Sequence, residues 1–233
     1  MSDISTLPLK PNITFIEGFL SSEEATQHYH NLLKEITFKP DHIRVNNQLI
    51  ETKRKFSFHG SYPYSYSGQE HLPEAFSPTL SFIKDKVETI CPNNFNAVLC
   101  NFYEQDEVMM GYHADKEREL GENPIIASIN FGQTRRFSFR YRRDIGAIPT
   151  THRVCEFELS HGSLLIMGAD CQKYFEHSLL KKDKNPKNKE VLKESWPNRI
   201  NLTFRKVIDL TPALQPSTLR TPSPFKKAFT FKK

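Results

Sequence analysis

The sequence lacks a run of about 18 or more apolar residues, the length needed to cross a bilayer, and Met1-Ser2-Asp3 opens it without a basic segment leading into an apolar one. A membrane span or an export signal is therefore not expected, and an intracellular site, cytoplasmic or nuclear, is. Cysteine is scarce. Cys91, Cys100, Cys155 and Cys171 are the four present, and no two form a CxxC pair, so a reduced compartment leaves them as free thiols. Neither sign of charge dominates: 32 Lys and Arg stand against 27 Asp and Glu, a net +5. That excess permits contact with a polyanion without requiring it. What remains, 233 residues with 37% hydrophobic and 25% charged, suits one globular domain with one sizeable core.

The positive charge is grouped. Lys53-Arg54-Lys55, Arg135-Arg136, Arg140-Tyr141-Arg142-Arg143 and Lys181-Lys182 lie among aromatic residues, a mixture suited to phosphate contact and base stacking. Each cluster taken alone also reads as a solvated surface.

Residues 1 to 11, with Pro8 and Pro11, read as a loose lead. Ser21-Ser22-Glu23-Glu24 starts a helix with a serine cap and an acidic first turn, and Leu32, Leu33 and Ile36 supply its apolar stripe. Short extended pieces and turns are expected from Phe38 to Ser77. Leu80, Ile83, Val87 and Ile90 recur at helical spacing over residues 79 to 90. The period then changes. Segments beginning at Ala97, Ile125, Arg136, Val154, Ser163 and Ile200 are rich in β-branched and aromatic residues and read as strands. Several short strands joined by turns such as His161-Gly162 predict a mainly β fold, a sandwich or jelly roll with helices at its N-terminal side. Residues 183 to 190 form a charged loop. The basic, proline-containing stretch from Thr211 predicts an unstructured tail.

His113-Ala114-Asp115, answered downstream by His177, carries the clearest chemistry. Residues two apart on an extended segment point the same way, and two histidines with one carboxylate can bind one face of an octahedral metal and leave the other open, as in non-haem Fe(II) oxygenases. His152 and His161 compete with His177 on spacing alone, although His161 looks like a turn residue. Zinc is the other metal choice, yet structural zinc sites favour thiolates and no cysteine neighbours these residues. Along Arg199-Ile200-Asn201-Leu202-Thr203-Phe204-Arg205, strand alternation puts Arg199, Asn201, Thr203 and Arg205 on one face. Burying that row is costly unless it binds an anion, and paired arginines fit a dianion beside the metal. Asn101 and Tyr103 make a second polar pair on an otherwise apolar strand. Outward, solvated positions on a half-exposed sheet are the competing reading for both rows.

In this order Asn101-x-Tyr103, His113-x-Asp115, His177 and Arg199-x-Asn201-x-Thr203-x-Arg205 resemble the AlkB family of Fe(II)- and 2-oxoglutarate-dependent dioxygenases. The resemblance extends to Tyr64-Ser65-Tyr66-Ser67-Gly68, Asp115-Lys116-Glu117-Arg118-Glu119-Leu120 and His161-Gly162-Ser163-Leu164-Leu165, and is strongest to the branch that repairs alkylated DNA. It implies a double-stranded β-helix with a nucleotide-recognition lid: lead and helix over 1–40, lid and helix over 41–95, catalytic core over 96–208 and a basic tail over 209–233. It implies His113, Asp115 and His177 as Fe(II) ligands and Arg199 and Arg205 as carboxylate partners of 2-oxoglutarate, with Arg205 on the distal carboxylate. Asn101, Tyr103, Asn201 and Thr203 supply further hydrogen bonds to it. The implied reaction is oxidative demethylation of N1-methyladenine and N3-methylcytosine in DNA, in which O2 and 2-oxoglutarate are consumed and succinate, CO2 and formaldehyde are released. Tyr64 and Tyr66 are then base-contacting residues, Arg54 their basic neighbour, and Glu117 a carboxylate facing the cationic damaged base. The enzyme is expected to act as a monomer on alkylated nucleic acid. One stretch departs from the pattern. Val45-Asn46-Asn47 stands where duplex-repairing members carry an apolar wedge, and a polar wedge stacks poorly, so single-stranded DNA or RNA is a fair alternative substrate. An oxygenase of the same fold acting on protein or lipid is the other.

Overall fold

The computed structural model describes residues 10–45, 48–66, 69–104, 109–145, 153–168, 170–181 and 196–210. The lead before residue 10, Asn46-Asn47, Ser67-Gly68, His152, the loop at 183–190 and the stretch from Thr211 lie outside them.

Two antiparallel sheets face each other. The larger has seven strands in the order β1 (Ile13–Ile16), β11 (Leu164–Met167), β8 (Ile126–Gly132), β13 (Arg199–Arg205), β6 (Ala97–Tyr103), β3 (Gln48–Gly60) and β2 (Lys39–Val45). The smaller has four, in the order β10 (Arg153–Leu159), β9 (Arg135–Tyr141), β12 (Phe175–Leu179) and β7 (Met110–His113). A two-stranded ribbon of β4 (Tyr64–Tyr66) and β5 (Gln69–His71) stands apart. This is the jelly roll that the strand pattern predicts and the double-stranded β-helix that the resemblance implies. Pro40 sits on the outermost strand β2, the place in a sheet where proline is tolerated.

The larger sheet uses its two faces differently. On the outer face Val98, Cys100, Phe102, Ala127, Ile129, Ile200, Leu202 and Phe204 form the main core with the helices α1 (Ser22–Glu35) and α2 (Pro78–Ile90). Ser21 and Glu24 close a capping box on α1, a device worth about 1 kcal/mol. Its buried stripe is Ala25, Tyr29 and Leu32, continued by Ile36, while Leu33 turns outward at 39% exposure. The stripe therefore runs at 25, 29, 32 and 36, and the expected place of Leu33 is corrected. On α2, Leu80, Ile83 and Val87 are fully buried, each contributing about 1.5–3 kcal/mol. The inner faces of the two sheets enclose a second cluster of Ile126, Phe139, Leu165, Met167 and Phe175 at one end. The other end is polar.

Residues 38 to 77 differ from the expected short pieces, because β3 alone runs for 13 residues. Its first half projects as a hairpin arm exposed on both sides, so neither alternation nor apolarity marks it, and its second half enters the sheet beside β6. At the turn after β8, Gly132 has φ +79, and a Cβ there would meet the Asn198 carbonyl oxygen at 2.3 Å. Only glycine fits. No helix among the described residues is long and apolar enough to cross a membrane.

Candidate metal centre and co-substrate pocket

β7 and β12 bring the metal-ligand set together. His113 and His177 are directly opposed across the two strands, with ring centroids 4.4 Å apart. Asp115 follows the end of β7 and is 1% exposed. Its Oδ1 lies 3.6 Å from His113 Nε2 and 3.9 Å from His177 Nε2, and one ligand atom from each of the three residues lies within 4.8 Å of the others. The donors are oriented for a cation. His113 Nδ1 lies 2.8 Å from the Gly111 carbonyl, which fixes Nδ1 as the protonated nitrogen and leaves the Nε2 lone pair facing the site. Asp115 divides its oxygens: Oδ2 accepts from Arg205 Nη2 at 2.8 Å, whereas Oδ1 is buried without a hydrogen-bond donor among the described residues. A buried anionic oxygen between two imidazole nitrogens fits a divalent metal.

Electrostatics keep the set in its ligating form. Burial, followed by the electrostatic influence of the neighbouring His113 ring, pushes His177 down to about 3, so its imidazole is neutral near pH 7. Burial alone would raise Asp115, but Arg205, His177 and His113 outweigh it and hold the carboxyl well below the usual range. Phe137 stacks on the His177 ring at 5.2 Å, with an interplanar angle of 30°, and fixes it from behind.

A narrow cleft opens between the sheets beside these ligands. One wall is the inner face of β13, where Arg199, Asn201, Thr203 and Arg205 are all buried. Asn101 and Tyr103 of β6 and Ser128 of β8 flank the row, and Met110, Phe137 and Leu179 face it from the smaller sheet. Internal hydrogen bonds hold the wall. Asn201 Nδ2 donates to Ser128 Oγ at 2.8 Å and to Asn130 Oδ1 at 3.1 Å, and Thr203 Oγ1 donates to Asn201 Oδ1 at 3.0 Å. The arginines occupy opposite ends. Arg205 is engaged with Asp115 beside the metal-ligand set, not at the far end expected for it. Arg199, at the far end, donates to Asn130 Oδ1 and lies over the Tyr103 ring at 5.0 Å, with no carboxylate partner among the described residues. Burial, then Arg135 nearby, brings Arg199 down to about 10, which still leaves it charged at pH 7. Arg199 Nε and Arg205 Nε and Nη1 are buried donors without partners among the described residues. The pocket is built for an anion at each end.

Other expected site residues fall differently. Arg54 is 5% exposed and points inward, bonded to Asp41 and Asn101, so its guanidinium is not offered at the surface. Tyr64 is 1% exposed, stacked on Phe58 at 5.4 Å with Arg205 over its ring at 5.7 Å. At 1% exposure the ring is covered by the protein itself, and its hydroxyl lies close to the negative charges of Asp115 and Glu117. Tyr66 ends β4, paired with Gln69. Glu117 caps a 3-10 turn, Arg118–Leu120, and burial, followed by the negative charge of Asp115, raises its pKa. His161 sits in a turn away from the metal and accepts the Gly132 N–H at 2.8 Å. The basic clusters are split by strand alternation: Arg135 is buried, Arg140 pairs with Glu176 at 2.5 Å, and Arg142 pairs with Asp144. Sequence reasoning missed four residues. Ser128 and Asn130 were detectable as polar positions two apart on an apolar strand, whereas Asp41 and Gln172 act across the fold. Gln172, on α3 (Cys171–Tyr174), accepts the Asp115 N–H at 3.0 Å.

Residues 12–205 match the 2OG-Fe(II) oxygenase superfamily. The chain is 32% identical over 218 residues to the DNA oxidative demethylase ALKBH2 of Bos taurus, covering 92% of this chain and 74% of that one. The chain belongs to the AlkB family, in its DNA-repair branch. The human ALKBH2 is 34% identical over 84% of this chain and 72% of its own length. The alpha-ketoglutarate-dependent dioxygenase alkB homolog 3 of Bos taurus is 32% identical over 82% of this chain and 64% of its own length. The solved structure of OsALKBH1 matches in fold at a TM-score of 0.60 and 16% identity, over 86% of this chain and 99% of that one. This AlkB-family chain is thus a dioxygenase that uses Fe(II) and 2-oxoglutarate, and the His113, Asp115, His177 cluster fits the metal.

Proposed function

We propose that this dioxygenase is an oxidative demethylase that removes N-methyl groups from N1-methyladenine and N3-methylcytosine in DNA. The observation that carries the reading is the placement of Glu117, a half-buried carboxylate near the charges of Asp115 and Arg205. A neutral base gains little from such a group, whereas a cationic base relieves its burial. The relatives named as DNA oxidative demethylases support the same substrate class.

His113, Asp115 and His177 would hold the iron, which with O2 and 2-oxoglutarate supplies the oxidising power for hydroxylation of the N-methyl carbon. The remaining steps belong to the chain. Arg199 takes the distal carboxylate of 2-oxoglutarate, with Tyr103 beside it. Arg205 steadies Asp115 and offers its free donors at the metal end, and the amides of Asn101 and Asn201 with the Thr203 hydroxyl line the span between. Glu117 faces the cationic base, and loss of formaldehyde together with a proton from the hydroxymethyl adduct restores the base to neutrality. The base must leave its stack to reach this depth.

A second reading, preference for single strands, is favoured by the sequence between the paired residues Val45 and Gln48, where two asparagines stand in place of an apolar residue. Oligonucleotides carrying one N1-methyladenine, offered as single-stranded DNA, duplex DNA and RNA, test both. Turnover of a DNA form supports demethylation, with faster turnover of single strands supporting the second reading; turnover of none of the three refutes both.

A further inference from the structure

Between the cross-strand pairs Pro40–Lys55 and His42–Glu51, one residue of β2, Asp41, faces three of β3, namely Thr52, Lys53 and Arg54. A bulge of this kind re-aims side chains beside functional sites. Here it turns Asp41 and Arg54 inward, to 2% and 5% exposure. Arg54 donates to Asp41 Oδ2 through Nε at 3.2 Å and Nη2 at 2.5 Å. Thr52 Oγ1 accepts the Arg54 N–H at 3.2 Å and lies 3.4 Å from the same carboxylate oxygen, which closes the bulge. A third guanidinium nitrogen, Nη1, donates to Asn101 Oδ1 at 3.0 Å.

That last bond has a directional consequence. A guanidinium only donates, so the Asn101 amide must present its oxygen to Arg54 and keep its NH2 group for the pocket, 3.5 Å from Asn201 Oδ1. An amide rotated the other way would set NH2 against the guanidinium. The NH2 orientation is the one a carboxylate ligand requires.

We propose that Arg54 is a positioning residue for the co-substrate: clamped by Asp41 at the bulge, it locks the Asn101 amide with its NH2 group toward the bound anion. The hairpin arm of β2 and β3 is thereby tied to co-substrate binding, and by linkage each stiffens the other. None of this depends on which substrate is demethylated.

The test uses the full chain with Mn(II) and N-oxalylglycine, an unreactive 2-oxoglutarate analogue, and measures affinity by calorimetry. Arg54→Lys keeps the charge but loses the fork, and should weaken binding by about tenfold or more, as loss of a partner behind a ligand does. Asn101→Ala should cost as much, and the double variant no more than the worse single one. Unchanged affinity in Arg54→Lys, or losses that add, overturns the proposal. If Arg54→Lys does not fold, hydrogen exchange decides. In the unaltered protein the amides of residues 48 to 56 should exchange more slowly once Mn(II) and N-oxalylglycine are bound, and in Asn101→Ala that slowing should vanish. Exchange that ignores the ligand in the unaltered protein, or slows equally in Asn101→Ala, refutes the link.

Discussion

Arg199→Met separates a residue kept for binding from one kept for stability. Arg199 is 2% exposed, has no carboxylate partner among the described residues, and is brought down to about 10 mainly by burial. Folding therefore works against its charge. Methionine fills a similar volume without that cost, and Asn130 Oδ1 keeps a donor in Asn201 Nδ2 at 3.1 Å. The protein without metal and co-substrate should be as stable as the parent or more stable, read as an unchanged or higher melting temperature. Binding should move the other way. A buried, charge-assisted contact to a carboxylate is worth about 1.5–3 kcal/mol, so the 2-oxoglutarate concentration giving half-maximal succinate formation should rise roughly 10- to 150-fold. A destabilised variant with an unchanged co-substrate requirement would show that Arg199 serves packing, and the two-ended pocket would be wrong.

Arg205→Met should behave oppositely: it strands Asp115 as a buried, unpaired carboxylate, with an expected loss of about 3–5 kcal/mol in the metal-free protein, and urea melts showing no loss would remove that ion pair from the account. Glu117→Gln keeps the size and deletes the charge, so turnover of cationic N1-methyladenine should fall by about 1–3 kcal/mol more than that of neutral N3-methylthymine; equal losses on both would end the charge-reading role. The pH dependence of the metal-free fold follows from His177. Its folded pKa, about 3, lies below the ordinary 6.5, so the unfolded chain binds the extra proton between those values, and stability present above pH 6.5 is lost as pH falls toward 3, by on the order of a few kcal/mol. Thermal melts of the parent and of His177→Gln from pH 7 to 4 check this, since the substitution should flatten the profile.

The strand periodicity made the jelly roll legible, and the row from Arg199 to Arg205 was readable because Ile200, Leu202 and Phe204 alternate with it into the outer core. The metal set was legible from residue types. Which arginine lies beside the metal ligands was not. That depends on how β13 lies against β7 and β12, a matter of tertiary pairing with no local signature. Arg54, Arg135 and Arg140 were expected at the surface because runs of like charge read as solvated or polyanion-binding. Strand alternation and one bulge send two of them inward, where Asp41 holds Arg54 and the Leu180 carbonyl accepts from Arg135. Tyr64 escaped for a related reason, since a tyrosine in a short ribbon looks exposed until Phe58 and Arg205 are seen close to its ring.

The most direct test of the central claim is the coupling between co-substrate and substrate. The purified chain is given Fe(II), 2-oxoglutarate and an oligonucleotide carrying one N1-methyladenine, and succinate, formaldehyde and the repaired strand are counted together. The account predicts equal amounts of all three, abolished in Asp115→Ala and His177→Ala variants that retain the parent's far-ultraviolet circular dichroism. Succinate formed at the same rate with methylated and unmethylated strands, with the methylated strand unchanged, would contradict it.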